Sequence, residues 1–229
     1  MTLGSIASSA PVTAQTNFPE YMEVVGQSLI HFSGQQCYNA FEQAAQIVAN
    51  MLLQGFGSSG QSTLQKDFEL CSPLASDLDV AVFLSDLMGN VQGTIQYNNE
   101  HAGVLNATDI CSTMLSSTDY YANFVALQQQ YRAANGQACE DGNWADTVQM
   151  LRQTGASRSW TYQTCNEFGY YQTTDSRNQP FWAWKWINLD FSRAICAAAF
   201  DGWKSDPQVH FINEVYGDVH IAATNVVYP

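Results

Sequence analysis

The sequence predicts a mainly α-helical fold with a short strand near each end and a framework of disulfide bonds. Apolar residues recur at three- and four-residue steps through most of the 229 residues, which is the period of helices with one buried face. The two ends instead carry short runs that are typical of strands. The layout of strand, long helical block and strand is that of a helical domain inserted between two strands of a host sheet.

The composition indicates a globular protein that does not bind nucleic acid. Hydrophobic residues make up 46% of the chain and charged residues only 13%, about half the usual charged share. The eight basic residues are scattered among 21 acidic ones, for a net charge of −13, whereas a phosphate-binding surface needs clustered Lys and Arg. An anionic membrane surface is disfavoured for the same reason. The acidic excess suits either a protein that works at low pH or an ordinary soluble surface.

The first half of the chain contains a strand pattern followed by two helix patterns. Residues 4–12 are a run of small residues that ends near a proline, which is typical of a short buried strand entering a loop. Apolar residues at helical spacing predict a helix over 21–32 and a second over 37–52. Residues 55–60 are rich in Gly and Ser, so they are expected to end the second helix as a flexible linker.

Further helix patterns follow up to residue 203, and a strand pattern lies near the end of the chain. Ser76 can cap a helix over 78–95, in which Gly89 and Gly93 predict a bend or a break. Four more helices are predicted over residues 109–115, 119–133, 146–152 and 188–203. The β-branched and aromatic residues 226–228 predict the closing strand. No apolar run reaches the ~20 residues that would span a bilayer.

The six cysteines predict disulfides and therefore an oxidising compartment. None of Cys37, Cys71, Cys111, Cys139, Cys165 and Cys196 forms a C-x-x-C pair, so three disulfides are favoured over a zinc site. The residues alone leave open all 15 pairings that six cysteines allow. Asn106 begins a glycosylation sequon, although an asparagine there could equally cap a helix. Because no signal peptide begins at Met1, we expect this chain to be a piece of a longer secretory protein.

The usual signatures of catalytic and cofactor sites are missing from the sequence. There is no G-x-S-x-G string, and the nearest one, residues 57–60, has the wrong spacing. No H-E-x-x-H motif and no Gly-rich phosphate loop are present, and neither a metal nor a cofactor is expected. The histidines His31, His101, His210 and His220 have no partner that the sequence can nominate. Asp77 with Asp79 is a carboxylate pair, but at a helix start it is explained by capping.

Residues 160–173 are the most informative segment. They combine aromatic side chains with a cysteine, a carboxylate and two glutamine amides. This mixture is typical of a cleft wall, where aromatic faces give shape and a few polar groups fix orientation. The other interpretation is an aromatic core helix fastened by a disulfide at Cys165. Glu167 discriminates between them, because a carboxylate among aromatic rings must be either exposed or specifically paired.

Several separated strings resemble the family of prolylcarboxypeptidase, dipeptidyl peptidase II and thymus-specific serine protease. Residues 160–167 read W-x-Y-Q-x-C-x-E and residues 70–74 resemble the L-C-x-P-L of this family. Residues 4–12 resemble its strand after the nucleophile-bearing helix, and residues 213–217 with 223–227 resemble its approach to a T-N-[IV]-[IV] strand. The matches occur in the same order as in the family and span nearly the whole chain.

The resemblance implies a disulfide-stapled helical cap inserted into an α/β-hydrolase. Residues 1–14 would end one host strand, residues 15–218 would form the cap, and residues 219–229 would begin the next host strand. The nucleophilic serine would precede residue 1, and the catalytic Asp and His would follow residue 229. This chain alone is therefore expected to be inactive, with no catalytic residue. The resemblance also implies the disulfides Cys37–Cys111, Cys71–Cys139 and Cys165–Cys196.

The same resemblance implies the substrate and the residues that bind it. The complete protein would hydrolyse peptides as a secreted or lysosomal serine exopeptidase with proline-linked or dipeptidyl specificity. The resemblance also allows a homodimer of the complete protein. Phe168 and Tyr170 would shape the primary specificity pocket, where Tyr170 replaces a methionine of prolylcarboxypeptidase. Trp160, Gln163 and Glu167 would support or line it. Two alternatives stay open, namely a non-catalytic, disulfide-rich binding module and an enzyme whose site the sequence does not reveal.

Overall fold

The protein is a helical domain in the computed structural model, which describes residues 6–7, 13–100, 103–218 and 226–227. This confirms the predicted fold class, a mainly helical chain stapled by disulfides. A π-helical turn, Thr164–Phe168, follows α8. The α-helices of the described residues are α1 Glu20–Ser33, α2 Gln35–Leu52, α3 Ser59–Asp67, α4 Asp77–Gln96, α5 Ala107–Met114, α6 Tyr120–Asn135, α7 Trp144–Arg152, α8 Ala156–Gln163, α9 Leu189–Ala199 and α10 Val209–Tyr216.

Two short parallel strand pairs accompany the helices. Strand β1, Ile6–Ala7, pairs with β4, Val226–Val227, so that Ile6 lies opposite Val226. Strand β2, Gln15–Asn17, pairs with β3, Gly169–Tyr171. The first pair falls within the two predicted terminal strands, while the remaining residues of those predictions lie outside the described part of the chain. The second pair was not predicted from the sequence.

The main core lies between α1, α2, α4, α5 and α6. The apolar stripe of α2 is buried because its residues at helical spacing, from Phe41 to Val48, face the other helices. The Phe41 ring meets Phe124 of α6 edge to face, with centroids 6.1 Å apart, which is a favourable geometry for aromatic rings. Trp184, fully buried in the loop before α9, donates its indole N–H to the carbonyl of Ala45 at 2.9 Å. This loop therefore closes the bundle.

Side-chain caps fix the starts of several helices. Ser76 accepts a hydrogen bond from the Asp79 amide at the start of α4, as predicted. Asn106 caps α5 in a reciprocal capping box with Asp109, which confirms the capping interpretation of this residue. Burial opposes ionisation of Asp79, but hydrogen bonds from Trp144, Ser76 and Ala75 outweigh it and lower its pKa. The amide of Trp144 donates to Asp79 at 2.9 Å, and this contact joins the starts of α4 and α7.

Three local predictions differ from the structure, and further helices were not predicted. Helix α4 is continuous through Gly89 and Gly93, because the helix can tolerate glycine where the surrounding space is open. The linker predicted over 55–60 is shorter, since Ser58 caps a helix that begins at Ser59. The last predicted helix ends at Ala199, and α10 was not predicted.

Three disulfides staple the domain, with the pairing that the family resemblance implied. Cys37–Cys111 joins α2 to α5, and Cys71–Cys139 joins the segments after α3 and α6. Cys165–Cys196 joins the π-helical turn to α9 inside a second, smaller core. In the chain-entropy description each of the two long loops contributes ~4 kcal/mol to stability. Within the described residues, no helix is long and apolar enough to cross a membrane.

Candidate functional site

The five residues predicted to contact substrate lie on one continuous stretch of chain. Trp160 and Gln163 are on α8, Glu167 and Phe168 are on the π-helical turn, and Tyr170 is on β3. The spacing of three and four residues from Trp160 through Gln163 to Glu167 places these three side chains along one helix face. We call residues 160–170 the wall segment.

The side chains of α8 are exposed rather than buried in a core. Trp160 retains 56% of its accessible surface, and Gln163 is also exposed. No residue of α8 is buried. The alternative interpretation of this segment as an aromatic core helix is therefore wrong for α8. Tyr162 of the same helix is exposed as well, at 52%, so α8 presents two aromatic side chains to solvent.

At Gly169 and Tyr170 the backbone of the wall segment adopts conformations that are rare for residues with a side chain. Gly169 has φ +71° and ψ −109°, and Tyr170 has φ +55°. A Cβ on Gly169 would lie 2.8 Å from the Cα of Thr16 and closer still to the carbonyl of Gln15. Glycine is thus required where β3 lies against β2. Left-handed backbone at a tyrosine costs about 1–3 kcal/mol and persists only where surrounding contacts enforce it.

Tyr170 is positioned by an aromatic contact with the start of the domain. Its ring meets Phe18 in an edge-to-face arrangement, with centroids 5.3 Å apart. The amide of Phe18 also donates to the carbonyl of Tyr171 at 2.8 Å. Burial, with a further contribution from the charge of Asp218, raises the pKa of the Tyr170 hydroxyl, which therefore remains a neutral donor at physiological pH.

Glu167 is half-buried on the π-helical turn. Among the described residues, none donates a hydrogen bond to its carboxylate and none forms a salt bridge with it. Of the two outcomes expected for this residue, partial exposure is the one observed. Because its oxygens are accessible, this carboxylate is able to accept a hydrogen bond or bind a cationic group from a ligand.

Buried contacts beneath the wall segment hold it in place. Cys165 is fully buried and bonded to Cys196 of α9. The Trp203 indole donates to the carbonyl of Cys165 at 3.0 Å. The Tyr171 hydroxyl lies 3.2 Å from the Cys196 sulfur. Burial raises the pKa of this hydroxyl to about 12. The predicted fastening at Cys165 is confirmed, and it fixes the turn that carries Glu167 and Phe168.

A polar network beside the wall segment was missed by the sequence analysis. The Thr173 hydroxyl lies 2.7 Å from Asn17 Oδ1 and 3.0 Å from Asp175 Oδ2 and can donate to either, while the Asn17 amide donates to Asp175 at 2.9 Å. Gln172 accepts a hydrogen bond from Gln92 of α4 at 2.5 Å. The β2–β3 pairing brings these residues together from separations of up to 158 positions. No local pattern could have indicated that pairing.

The larger cavities of the described residues lie away from the wall segment. A groove of about 460 Å³ lies between the end of α2 and the starts of α4 and α9. An apolar groove of about 1,050 Å³ runs between α4 and α6. None of the five predicted substrate-contacting residues lines either groove. A smaller cavity of about 290 Å³ lies against the wall segment at Tyr162, between the ends of α7 and α9.

The described residues bring together no catalytic triad. His31 and His210 are both exposed, and neither donates to or accepts from a serine or carboxylate in the described part of the chain. His101 and His220 lie outside the described residues. What the geometry provides is a surface of aromatic rings, an amide and a carboxylate on a segment fastened by the Cys165–Cys196 disulfide and the β2–β3 pair.

These features define a mainly helical domain that is stapled by three disulfides and has a short strand near each end. Along its whole length, residues 1–229, the sequence matches the family of S28 serine carboxypeptidases. The chain belongs to that family. It is 33% identical over 193 residues to the thymus-specific serine protease of Homo sapiens, an alignment that covers 77% of this chain and 37% of the human protein.

A second relative gives the same picture over the full chain. The thymus-specific serine protease of Mus musculus is 29% identical over 246 residues, which cover 100% of this chain and 47% of the mouse protein. The chain thus spans less than half the length of these relatives. Family membership indicates a peptidase-related function.

Proposed function

We propose that this chain is the substrate-covering helical cap of a serine exopeptidase whose catalytic groups lie on the remainder of a longer protein. The observation that carries the proposal is the wall segment itself. It presents Trp160, Glu167 and Tyr170 on a segment with strained backbone at Gly169 and Tyr170, and none of these three side chains lines the two grooves described above. A recognition surface of this kind becomes a cleft when a second domain faces it.

The ends of the described chain support an insertion between two host strands. Strands β1 and β4 are parallel neighbours although they lie 220 residues apart from Ile6 to Val226. The Asn213 side chain bonds both backbone groups of Ala14, accepting from its amide at 2.5 Å and donating to its carbonyl at 2.9 Å. We therefore assign residues 15–218 to the cap, with residues 1–14 and 219–229 belonging to the host sheet.

The proposed roles follow the position of each side chain. Phe168 and Tyr170 shape the pocket for the residue next to the scissile bond, since both are half-buried at the point where the chain turns. Trp160 and Gln163 line the outer part of the cleft, and Glu167 binds a polar or cationic group of the peptide. The reaction of the complete enzyme would be acyl transfer from a serine activated by histidine, with proline-linked or dipeptidyl specificity.

Compartment and modification complete the proposal. The disulfides fit a secreted or lysosomal protein. The Asn106 side chain uses only its oxygen for capping α5, so its amide nitrogen remains available to carry a glycan. Asn106 is partly exposed, which is compatible with modification.

A fluorophosphonate probe tests where the nucleophile lies. The full-length parent protein should be labelled on a serine outside residues 1–229, and the 229-residue chain should not be labelled. A variant of the parent with its labelled serine changed to alanine is the matched control. Labelling of any serine within the 229-residue chain would overturn the cap assignment in favour of an independent enzyme.

The pocket role of Tyr170 is tested by substrate preference. In the full-length protein, Tyr170→Ala should change the ratio of kcat/KM between two peptides that differ only in the residue before the cut. Tyr162→Ala is the matched control, because Tyr162 is also on the wall segment but packs on Phe200, at 5.3 Å between centroids. Tyr162→Ala should keep the wild-type ratio. If Tyr170→Ala also kept it, Tyr170 would not line the pocket.

A further inference from the structure

Glu140 is a buried carboxyl group at a junction of the fold. It retains 5% of its accessible surface, and its Oε2 has no hydrogen-bond partner among the described residues. Its backbone forms a bridge with Leu70, accepting from the Cys71 amide at 2.9 Å and donating to the Glu69 carbonyl at 3.0 Å. The disulfide Cys71–Cys139 fastens the same two segments. The wall segment takes no part in this junction.

Burial is the main reason that the ionised form of Glu140 is disfavoured. Asp86 of α4, which is exposed, and the adjacent, half-buried Asp141 add repulsion, whereas Arg132 of α6 is the cation that attracts it. Arg132 is itself buried and already engaged, because its guanidinium donates to the Phe68 carbonyl and forms a 2.7 Å ion pair with Glu69. An ionised Glu140 would thus be a buried charge with no group of its own to neutralise it.

We infer that Glu140 is a pH-sensitive group at this junction: the backbone contact between residues 139–141 and residues 69–71 is undisturbed when its carboxyl is neutral and weakens when the carboxyl ionises. The neutral acid fits a site with little solvent and two carboxylates nearby. The carboxylate form leaves an uncompensated charge at the place where the bridge and the disulfide meet. The domain is therefore built to be tighter in an acidic compartment than at neutral pH, independently of the function proposed above.

The direction of the pH effect follows from the shift in acidity. Burial, followed by the charge of Asp86, raises the pKa of Glu140 from its ordinary 4.5 to about 7, although Arg132 acts in the opposite direction. Between these two values the folded chain binds more protons than the unfolded chain, so stability falls as the pH rises. Below this window Glu140 does not make the stability of the fold depend on pH, and above it the loss of stability due to Glu140 is complete. The full shift corresponds to a decrease of at most roughly 300-fold in the folding equilibrium constant.

Urea unfolding of the full chain between pH 4.5 and 8 tests whether Glu140 makes the stability of the fold depend on pH. Wild type should lose at least tenfold in its folding constant relative to Glu140→Gln as the pH rises from 5 to 8, because the amide is neutral throughout. The matched control is Glu214→Gln, since Glu214 is exposed on α10, and its pH profile should parallel that of wild type. Asp86→Asn removes one repelling charge, so the loss should move to lower pH.

A direct titration decides the outcome even if a variant folds poorly. With ¹³C-labelled glutamate in the wild-type chain, one side-chain carboxyl resonance should titrate near pH 7 and be absent from Glu140→Gln. Exchange of the Cys71 amide should accelerate over the same pH range beyond the intrinsic increase, because its acceptor is the Glu140 carbonyl. A Glu140 carboxyl that titrates near 4.5, or pH profiles of wild type and Glu140→Gln that are parallel, would overturn the inference.

Discussion

Replacing Gly169 by alanine is the sharpest test of how the wall segment is held. The residue has φ +71° and ψ −109°, which costs an alanine about 1–3 kcal/mol in backbone strain. Its new Cβ would also overlap the β2 backbone at 2.8 Å from Thr16 Cα, and forced displacement of packed atoms costs about 1–3 kcal/mol more. We therefore expect Gly169→Ala to destabilise the chain by roughly 2–6 kcal/mol.

The matched control for this substitution is Gly34→Ala. Gly34 has φ +81° and ψ 170°, an equally glycine-specific backbone, but no atom lies within 4 Å of the Cβ it would gain. Gly34→Ala should therefore be destabilised only by backbone strain, by about 1–3 kcal/mol. Urea unfolding of the disulfide-intact chain measures both. If Gly169→Ala is no more destabilising than Gly34→Ala, the close β2–β3 contact does not hold the wall segment.

Three further predictions concern single features of the domain. Changing Cys165 and Cys196 together to serine should cost ~3.7 kcal/mol in the chain-entropy description of their 31-residue separation, measured by urea unfolding; a loss below 1 kcal/mol would contradict it. Asn106→Ala should cost about 1 kcal/mol and remove any glycan, whereas Thr108→Ala should remove only the glycan; equal destabilisation by both would disprove the cap. Asp79, whose pKa is lowered in the fold, contributes stability that is present above its unfolded pKa and lost as pH falls through the folded value; Asp79→Asn should abolish that part of the acid loss, and an unchanged acid limb would refute it.

The helical bundle could be predicted because its determinants are local. The stripe of α2 and the caps of α4 and α5 depend on residues within one or two turns, and the structure places all three as the pattern indicates. The break expected in α4 was wrong for a physical reason. A glycine costs only about 1 kcal/mol in a helix interior, and packing of the buried face of α4 outweighs this cost.

The surroundings of the wall segment could not be predicted because they depend on distant contacts. Phe18 and Tyr170 come together only through the β2–β3 pair, and these strands have three residues each. Runs so short carry no period that a sequence can reveal. The exposed tryptophan was likewise hidden, since an aromatic residue at helical spacing is ordinarily buried. The disulfide pairing came from the family resemblance, because the spacing of the cysteines alone left it open.

The energetics of the wall segment argue for recognition and against a purely structural role. A disulfide, a parallel strand pair and the Trp203 indole all converge on the seven residues from Cys165 to Tyr171. Yet the side chains of Trp160 and Gln163 face solvent, and burying the Trp160 ring would have stabilised the fold more. Stored strain and exposed aromatic surface at one place are costs that stability alone does not explain. They are explained if the rigid turn positions Glu167, Phe168 and Tyr170 for a ligand, because a preorganised surface loses less entropy when it binds.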